Sequence, residues 1–349
     1  MSEPVAPAEP VVGIAGLGLY LPARFMTASE VAAASGLPVE VIEQKLGFRR
    51  KPVPGPDDHT IQMGVWAAQD CLKRAGADPA DIDLVIWTGE EYKEYPLQTA
   101  GIKLQHEIGA RRAWAFDVQL RCGTMVMALK LAKDLMTADP ALKTVLLAGG
   151  YRNVDFIDYK NQRTRFMFNL AAGGGAILLK KGLARNTVLK TSVITDGSFA
   201  DDVAVAAGGT RVPMTVEALR QGLYRLEVFD PEGMKERLDR LSMQNFVEVV
   251  RRAAETSGYK TADIDYLAIL HMKRSAHAYV LRELGLPGEK SIYLEDYGHI
   301  GQIDQVLSLR LAEERGMLHD DGLVVLVSAG IGYAWTATAI RWGGQVAAG

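Results

Sequence analysis

Cysteine is scarce. Only Cys71 and Cys122 occur in 349 residues. One pair cannot staple a chain of this length, so a disulfide scaffold is excluded and a reducing, cytoplasmic setting is expected. Long apolar runs are missing too. No stretch reaches roughly 18 uninterrupted apolar residues, so no transmembrane helix and no membrane partner are expected. Neither sign of charge dominates, with 39 Lys+Arg against 42 Asp+Glu and a net charge of −3. That balance argues against a nucleic-acid-binding domain. The histidines and cysteines lack metal-ligand spacing. No phosphate loop or dinucleotide fingerprint stands in its proper context. The opening MSEPVAPAEP lacks the basic and apolar regions of a signal peptide and reads as a flexible tail over residues 1–10.

What is present is an ordinary globular composition, 48% hydrophobic and 23% charged. The length suggests two domains, or one built in halves. With 35 glycines, tight turns and close backbone approaches are expected.

An internal repeat supports the halves. CLKRAGADPADIDLVIWTG (Cys71–Gly89) resembles RAAETSGYKTADIDYLAIL (Arg252–Leu270), with Gly76 matching Gly258 and Asp81-Ile82-Asp83 matching Asp263-Ile264-Asp265. In each copy an amphipathic helix ends at a glycine and a short loop leads into an apolar strand. Val145–Gly149 resembles Leu326–Gly330 at nearly the same offset. Apolar strands are expected at Val12–Gly18, Leu84–Thr88, Ala113–Val118, Thr144–Ala148 and Ala176–Leu179, alternating with helices. This predicts an α/β fold with mainly parallel pairing. The division expected is residues 11–185 and 186–349. Tyr151–Phe168 reads as an excursion between strands, and Asp202–Leu241 as a cap or insertion.

Cys122 follows the strand Ala113–Val118 and stands where a helix begins. There the helix dipole, with Arg121 beside it, would favour a nucleophilic thiolate. A small buried hydrophobe is the alternative. Cys71 lies inside an amphipathic helix and reads as core. His271 follows the strand Tyr266–Leu270, at the carboxyl end where ligands gather in α/β sheets. His299 lies between a strand (Ser291–Leu294) and a helix (Asp304–Glu314), the position that Cys122 occupies in the first half. Glu91 follows the strand equivalent to the one before His271 and can act as an acid or base there, or simply be solvated.

AFDVQLRCGTMVMAL resembles the nucleophile region of the thiolase superfamily, most closely 3-oxoacyl-acyl-carrier-protein synthase III. LGFRRK (Leu46–Lys51) is similar to that family's T-G-I-x-x-R stretch, and Gly330-Ile331-Gly332 to its glycine-rich turn. The resemblance runs over nearly the whole chain. It implies a thiolase-like five-layer α-β-α-β-α sandwich of two pseudo-duplicated halves, and a homodimer. It implies that Cys122 takes an acyl group from a thioester and that His271 helps activate the second substrate. The backbone of Cys122 and of Gly330, Ile331 and Gly332 would form the oxyanion hole. Lys45, Arg163, Lys273 and Arg274 would contact coenzyme A or an acyl carrier protein. Tyr95 would line the partner's acyl pocket. No cofactor is implied, coenzyme A entering as the substrate thioester.

Departures from that pattern are local. The family's G-N-T turn is Gly298-His299-Ile300 here, giving a Cys–His–His set like that of elongating ketosynthases. The F-G-D-G-A stretch is Asn169-Leu170-Ala171-Ala172-Gly173. GEEYKEY partly resembles the region where 3-hydroxy-3-methylglutaryl-CoA synthases keep a catalytic glutamate, a role for Glu91 or Glu90. Three readings follow: a condensing acyltransferase, a related acyltransferase with Glu91-assisted or heteroatom chemistry, or a non-catalytic partner subunit. Met125, Met127 and Met167 can line an adaptable pocket or belong to the core.

Overall fold

The computed structural model describes residues 10–344. All but the last residue of the expected tail over 1–10 lies outside them. In chain order come β1 (Val12–Tyr20), β2 (Phe25–Thr27), α1 (Ala28–Ser35), α2 (Val39–Val41), β3 (Arg50–Pro52), α3 (Thr60–Ala75), β4 (Leu84–Trp87), α4 (Ala100–Glu107), β5 (Trp114–Asp117), α5 (Thr124–Ala138), β6 (Thr144–Tyr151) and β7 (Gly173–Lys181). Then follow β8 (Thr187–Thr195), β9 (Val203–Val205), α6 (Val216–Arg220), β10 (Leu226–Val228), α7 (Pro231–Thr256), β11 (Ile264–Ile269), α8 (Arg274–Glu283), α9 (Asp304–Glu314), β12 (Leu323–Gly330) and β13 (Ala334–Arg341).

The strands run β11-β12-β13-β8-β1-β7-β6-β4-β5. The series β4-β6-β7-β1 and β11-β12-β13-β8 have the same sense at every step, parallel first and then antiparallel twice. The two arrays meet edge to edge at a single residue pair, Gly13 opposite Thr187. Helices α5 and α9 pack against strands of both arrays, α3 against the first alone and α7 against the second alone. The order is therefore helix, sheet, helix, sheet, helix, the five-layer sandwich. β4 and β6 are buried along their whole length, as strands covered on both faces must be.

The repeated residues have repeated jobs. Gly76 and Gly258 both take positive φ, +57° and +88°, beyond the ends of α3 and α7. Asp83 accepts the backbone N–H groups of Lys143 and Thr144, the latter opening β6, at 2.8 and 2.9 Å. Asp265 does the same for Leu323, the first residue of β12, at 2.9 Å. Each aspartate holds the register of its strand against the parallel neighbour. Glycine in β7 has a different purpose. A Cβ on Gly174 would stand 2.1 Å from the carbonyl oxygen of Met63, so only glycine lets α3 lie this close to the sheet.

One expected strand does not form. Ser291–Leu294 has no backbone ladder in the structure. It is tied instead by a side chain, Ser291 Oγ donating to the Leu267 carbonyl at 2.7 Å. The expected cap is present. β9 and β10 pair, and β10 packs against the turn Gln162–Met167 of the excursion, where Arg163 Nη2 donates to the Val228 carbonyl at 2.6 Å. Asp230 opens α7 by accepting the N–H of Gly233 at 3.0 Å, and Pro231 follows at the first helical position.

Candidate active site

Three loops converge, two at the carboxyl ends of β5 and β11 and one leading into α9. After β5 the chain turns through Arg121, a non-glycine residue held at φ +52°. That conformation is costly for an L-residue and marks a tight elbow. Thr124 clamps the elbow. Its Oγ1 accepts the Leu120 N–H at 2.8 Å and donates to the Arg121 carbonyl at 2.5 Å. Cys122 follows at once, in the single 3-10 turn that leads into α5.

His271 stands just past β11 and His299 just before α9. The Sγ of Cys122 and the Nε2 of His299 are 3.2 Å apart. The other ring nitrogen, Nδ1, meets Asp304 Oδ2 at 2.6 Å. A carboxylate accepts only, so Nδ1 carries the proton and Nε2 faces the sulfur. Asp304 is fully buried and also accepts the N–H groups of His271 and Ile300, each at 2.7 Å. Its place in the first turn of α9 favours the charge.

His271 is satisfied at both nitrogens. Its Nε2–H donates to the Gly47 carbonyl at 3.0 Å, and Nδ1 accepts from the Asn169 amide at 2.9 Å. Burial pushes its pKa down to about 4, so the ring is neutral. Asn169 is held by the segment resembling T-G-I-x-x-R. The Nζ of buried Lys51 donates to the Phe168 and Leu170 carbonyls, both at 2.6 Å. The Asn169 carbonyl in turn accepts the His299 N–H at 2.8 Å.

The electrostatics depart from expectation at Cys122. The helix dipole and Arg121 were expected to favour the thiolate, yet burial pushes the thiol up. Arg121 offers little net charge, since it pairs with Glu91 at 2.5 Å and lies 3.7 Å from Glu90. Desolvation outweighs a partial helix charge, and the nearby His299 imidazole is the main opposing influence. Burial disfavours charge on His299, but the Asp304 carboxylate and Cys122 overcome it and hold the imidazole well above its ordinary range. Activation of the sulfur thus rests on proton transfer to an oriented imidazole.

These residues line a cavity of about 740 Å³. Cys122, His271, His299, Asn169, Tyr151, Asn153 and Glu90 lie along it, with Leu226, Val228, Met234, Leu238, Met243 and Phe246 supplied by the cap and α7. Glu91 is corrected here. It is 63% exposed, bound to Gln119 and Arg121, and is not on the cavity wall. Its neighbour Glu90 is the buried carboxylate that lines the cavity, accepting from the Asn153 amide at 2.6 Å. Burial raises the Glu90 pKa against the pull of Arg121.

The other expected site residues divide. Arg163 and Lys273 are exposed and line the cavity, with Gln162 and Arg165 beside them. Lys45 is exposed next to Leu46, the lining residue of that turn. Arg274 lies off the cavity, paired with Glu295 and stacked 4.2 Å over the ring of Tyr293. Tyr95 is 69% exposed on its loop and does not reach this chain's cavity. Gly330 presses on the elbow, where a Cβ would stand 2.9 Å from the Cys122 nitrogen. Ile331 lines the cavity while Gly330 and Gly332 do not. Of the three methionines, Met167 lines the cavity and Met125 is core. Cys71 is core as expected, its thiol pushed up to about 12 by burial. Sequence reasoning missed Asp304 and Asn169. An acidic residue opening a helix five positions after a loop histidine was the available signal for the first.

Two family models match the chain. The model described as 3-oxoacyl-[acyl-carrier-protein] synthase III covers residues 116–197, and that for the same enzyme's C-terminal part covers 254–342. A β-ketoacyl-[acyl-carrier-protein] synthase III of Symbiobacterium thermophilum is 28% identical over 333 residues, 95% of this chain and 98% of that one. One of Agrobacterium fabrum is 29% identical over 336 residues, 94% and 98%. The chain is a thiolase-superfamily protein of the ketosynthase III type. In fold, this ketosynthase III is similar to the solved 3-oxoacyl-(acyl carrier protein) synthase III of Pseudomonas aeruginosa (TM-score 0.83, 22% identity, 96% and 99% covered). It is similar also to the priming β-ketosynthase of the R1128 polyketide pathway (TM-score 0.84, 22% identity, 98% and 99% covered). Among the described residues, no group of three or more His, Cys, Asp or Glu is placed to hold a metal ion, and no helix is long and apolar enough to cross a membrane.

Proposed function

We propose that this ketosynthase III is a condensing acyltransferase. An acyl group from acyl-CoA or an acyl carrier protein is loaded on Cys122, then joined to a second thioester by Claisen condensation. The observation that carries this reading is the 3.2 Å approach of Cys122 Sγ to His299 Nε2 in a cavity that runs to exposed Arg163 and Lys273. Those cations suit the phosphates of coenzyme A or phosphopantetheine. In the first half-reaction Sγ attacks the thioester carbonyl as His299 takes its proton, and the departing thiolate receives that proton. The backbone amide of Cys122, with the Gly330–Gly332 turn packed on it, is the proposed oxyanion site. In the second half-reaction His271, His299 and Glu90 are the groups at hand to hold or move a proton. Glu90 replaces Glu91 in that role.

The proposal includes the division into residues 11–185, carrying the nucleophile, and 186–349, carrying the imidazoles. It also includes a homodimer. Tyr95 and Leu97 are exposed on one loop, and Trp114 is half exposed on the sheet-edge strand β5. Intact-protein mass spectrometry after mixing with a panel of acyl-CoAs and acyl carrier proteins tests the first half-reaction. Adding malonyl-CoA or a second acyl-CoA and detecting a 3-oxoacyl product tests the second. No mass gain on Cys122 with any donor would overturn the reading.

A further inference from the structure

The family pattern has an asparagine where this chain has His299. An asparagine amide offers an N–H donor toward the acyl group. In this chain the Asp304 carboxylate holds the proton of His299 on Nδ1, at 2.6 Å, and turns the lone pair of Nε2 toward Sγ. A donor has been exchanged for an acceptor. His271 does not restore the donor, since its Nε2–H is given to the Gly47 carbonyl. An acyl-enzyme built here therefore has a general base aimed at its carbonyl, oriented as in a nucleophile–imidazole–carboxylate triad.

We propose that the acyl-enzyme on Cys122 also transfers its acyl group to a hydroxyl-bearing acceptor, with His299 as general base and Asp304 as its positioning residue. This rests on acylation of Cys122 as described above. Acylation removes Cys122 as one of the two influences that raise His299, and the proton taken from Sγ departs on the donor's thiol, so the base in the transfer is the neutral imidazole present above its titration. The acceptor's oxygen attacks the Cys122 acyl carbon while its proton passes to Nε2. The new C–O bond forms, the C–S bond breaks, and the proton moves from Nε2 to Sγ. The products are an ester and the free thiol, and no further reactant is required. The wall beside Cys122 suits such an acceptor. The Asn153 amide, the Tyr151 hydroxyl and the Glu90 carboxyl are polar groups in an otherwise largely apolar cavity, able to orient a hydroxyl.

The test uses the full chain. Cys122 is acylated with one acyl-CoA that mass spectrometry shows to load it, and free coenzyme A is removed. The acyl-enzyme is then chased with glycerol, n-butanol or methyl glucoside, against buffer alone. Expected is an ester of the loaded acyl group, with loss of the enzyme adduct at least tenfold faster than in buffer for one acceptor. His299→Asn, loaded under prolonged incubation, is expected to lose the transfer by about 10²–10⁴-fold, the usual contribution of a general base. The transfer rate of the native chain should fall as pH drops through the titration of His299. An acyl-enzyme that forms but yields no ester above the buffer blank with any acceptor overturns the inference and leaves the condensing reading standing. An asparagine variant that transfers as fast as the native chain overturns the role of His299. Failure to load Cys122 at all overturns the earlier reading instead.

Discussion

The Asp304 carboxylate accepts the Nδ1–H of His299 at 2.6 Å from a position with no solvent exposure. The same carboxylate binds the backbone N–H groups of His271 and Ile300. One side chain thus fixes the tautomer of one histidine and the placement of the other. Asp304→Asn keeps the shape but removes the charge, and its NH₂ group would face donors. Acylation of Cys122 is expected to slow by about 10²–10⁴-fold. Stability should fall by on the order of 3 kcal/mol, because a buried partner of an imidazolium is lost. Acylation kinetics by mass spectrometry and urea denaturation measure the two effects separately.

The two cysteines should differ sharply toward a thiol reagent. Cys71 has no exposure inside the α3 core, and burial raises its thiol to about 12. Cys122 lines the cavity beside an imidazole. Iodoacetamide at pH 7.5 is expected to add one group to the folded chain and none to Cys122→Ala. Peptide mapping that finds Cys71 labelled at a comparable rate would contradict the assignment.

Neighbouring glutamates should give opposite results. Glu90 lines the cavity, whereas Glu91 is exposed and paired with Arg121. Glu91→Gln is expected to change turnover by less than about threefold, since a surface pair contributes little. Glu90→Gln is expected to lower turnover by roughly tenfold or more, within the range for a group that moves a proton. Comparing kcat of the two variants under identical conditions decides between the residues.

Gly330→Ala should be severe. Its Cβ would stand 2.6 Å from Arg121 Cβ and 2.9 Å from both the Cys122 nitrogen and the Leu120 oxygen. The elbow must shift to make room, and Cys122 leaves its line with His299. The expectation is loss of acylation by at least 100-fold with the fold retained, since a small misplacement of reacting atoms is enough. Circular dichroism and acyl loading test the two halves of that statement.

Acid should destabilise the fold over a defined window. Burial pushes His271 and His277 each down to about 4 from an ordinary 6.5. Between those values the unfolded chain takes up protons that the folded chain refuses, so stability falls as pH drops from about 6.5 toward 4. Each histidine contributes up to roughly 3 kcal/mol over the whole window, at about 1.4 kcal/mol per pH unit. His299 acts with the opposite sign. Asp304 raises it, so its contribution is present below about 6.5 and fades as pH rises through its folded value. Denaturation midpoints from pH 4 to 8 should show the net fall on the acid side, reduced in His277→Phe.

Much of the architecture was legible in the chain itself. The paired Ala-Asp-Ile-Asp segments report a local need, an aspartate to cap the first N–H of the next parallel strand, and that need recurs wherever the unit recurs. Cys122 and His271 were legible because strand–loop–helix junctions are short-range patterns, and His299 because it stands just before a helix, although the strand expected ahead of it does not form. Which side chains meet was not. His299 and Cys122 are 177 positions apart, and Asn169 and His271 are 102 apart. Their contacts depend on how far the layers approach and on which way each side chain points. Glu90 faces the cavity and Glu91, at the bend that follows, faces the solvent, a choice that adjacent identical residues cannot display in sequence. The thiol's elevation is of the same kind. Helix position is a local property that favours the thiolate, but burial is a property of the whole fold, and at Cys122 burial wins.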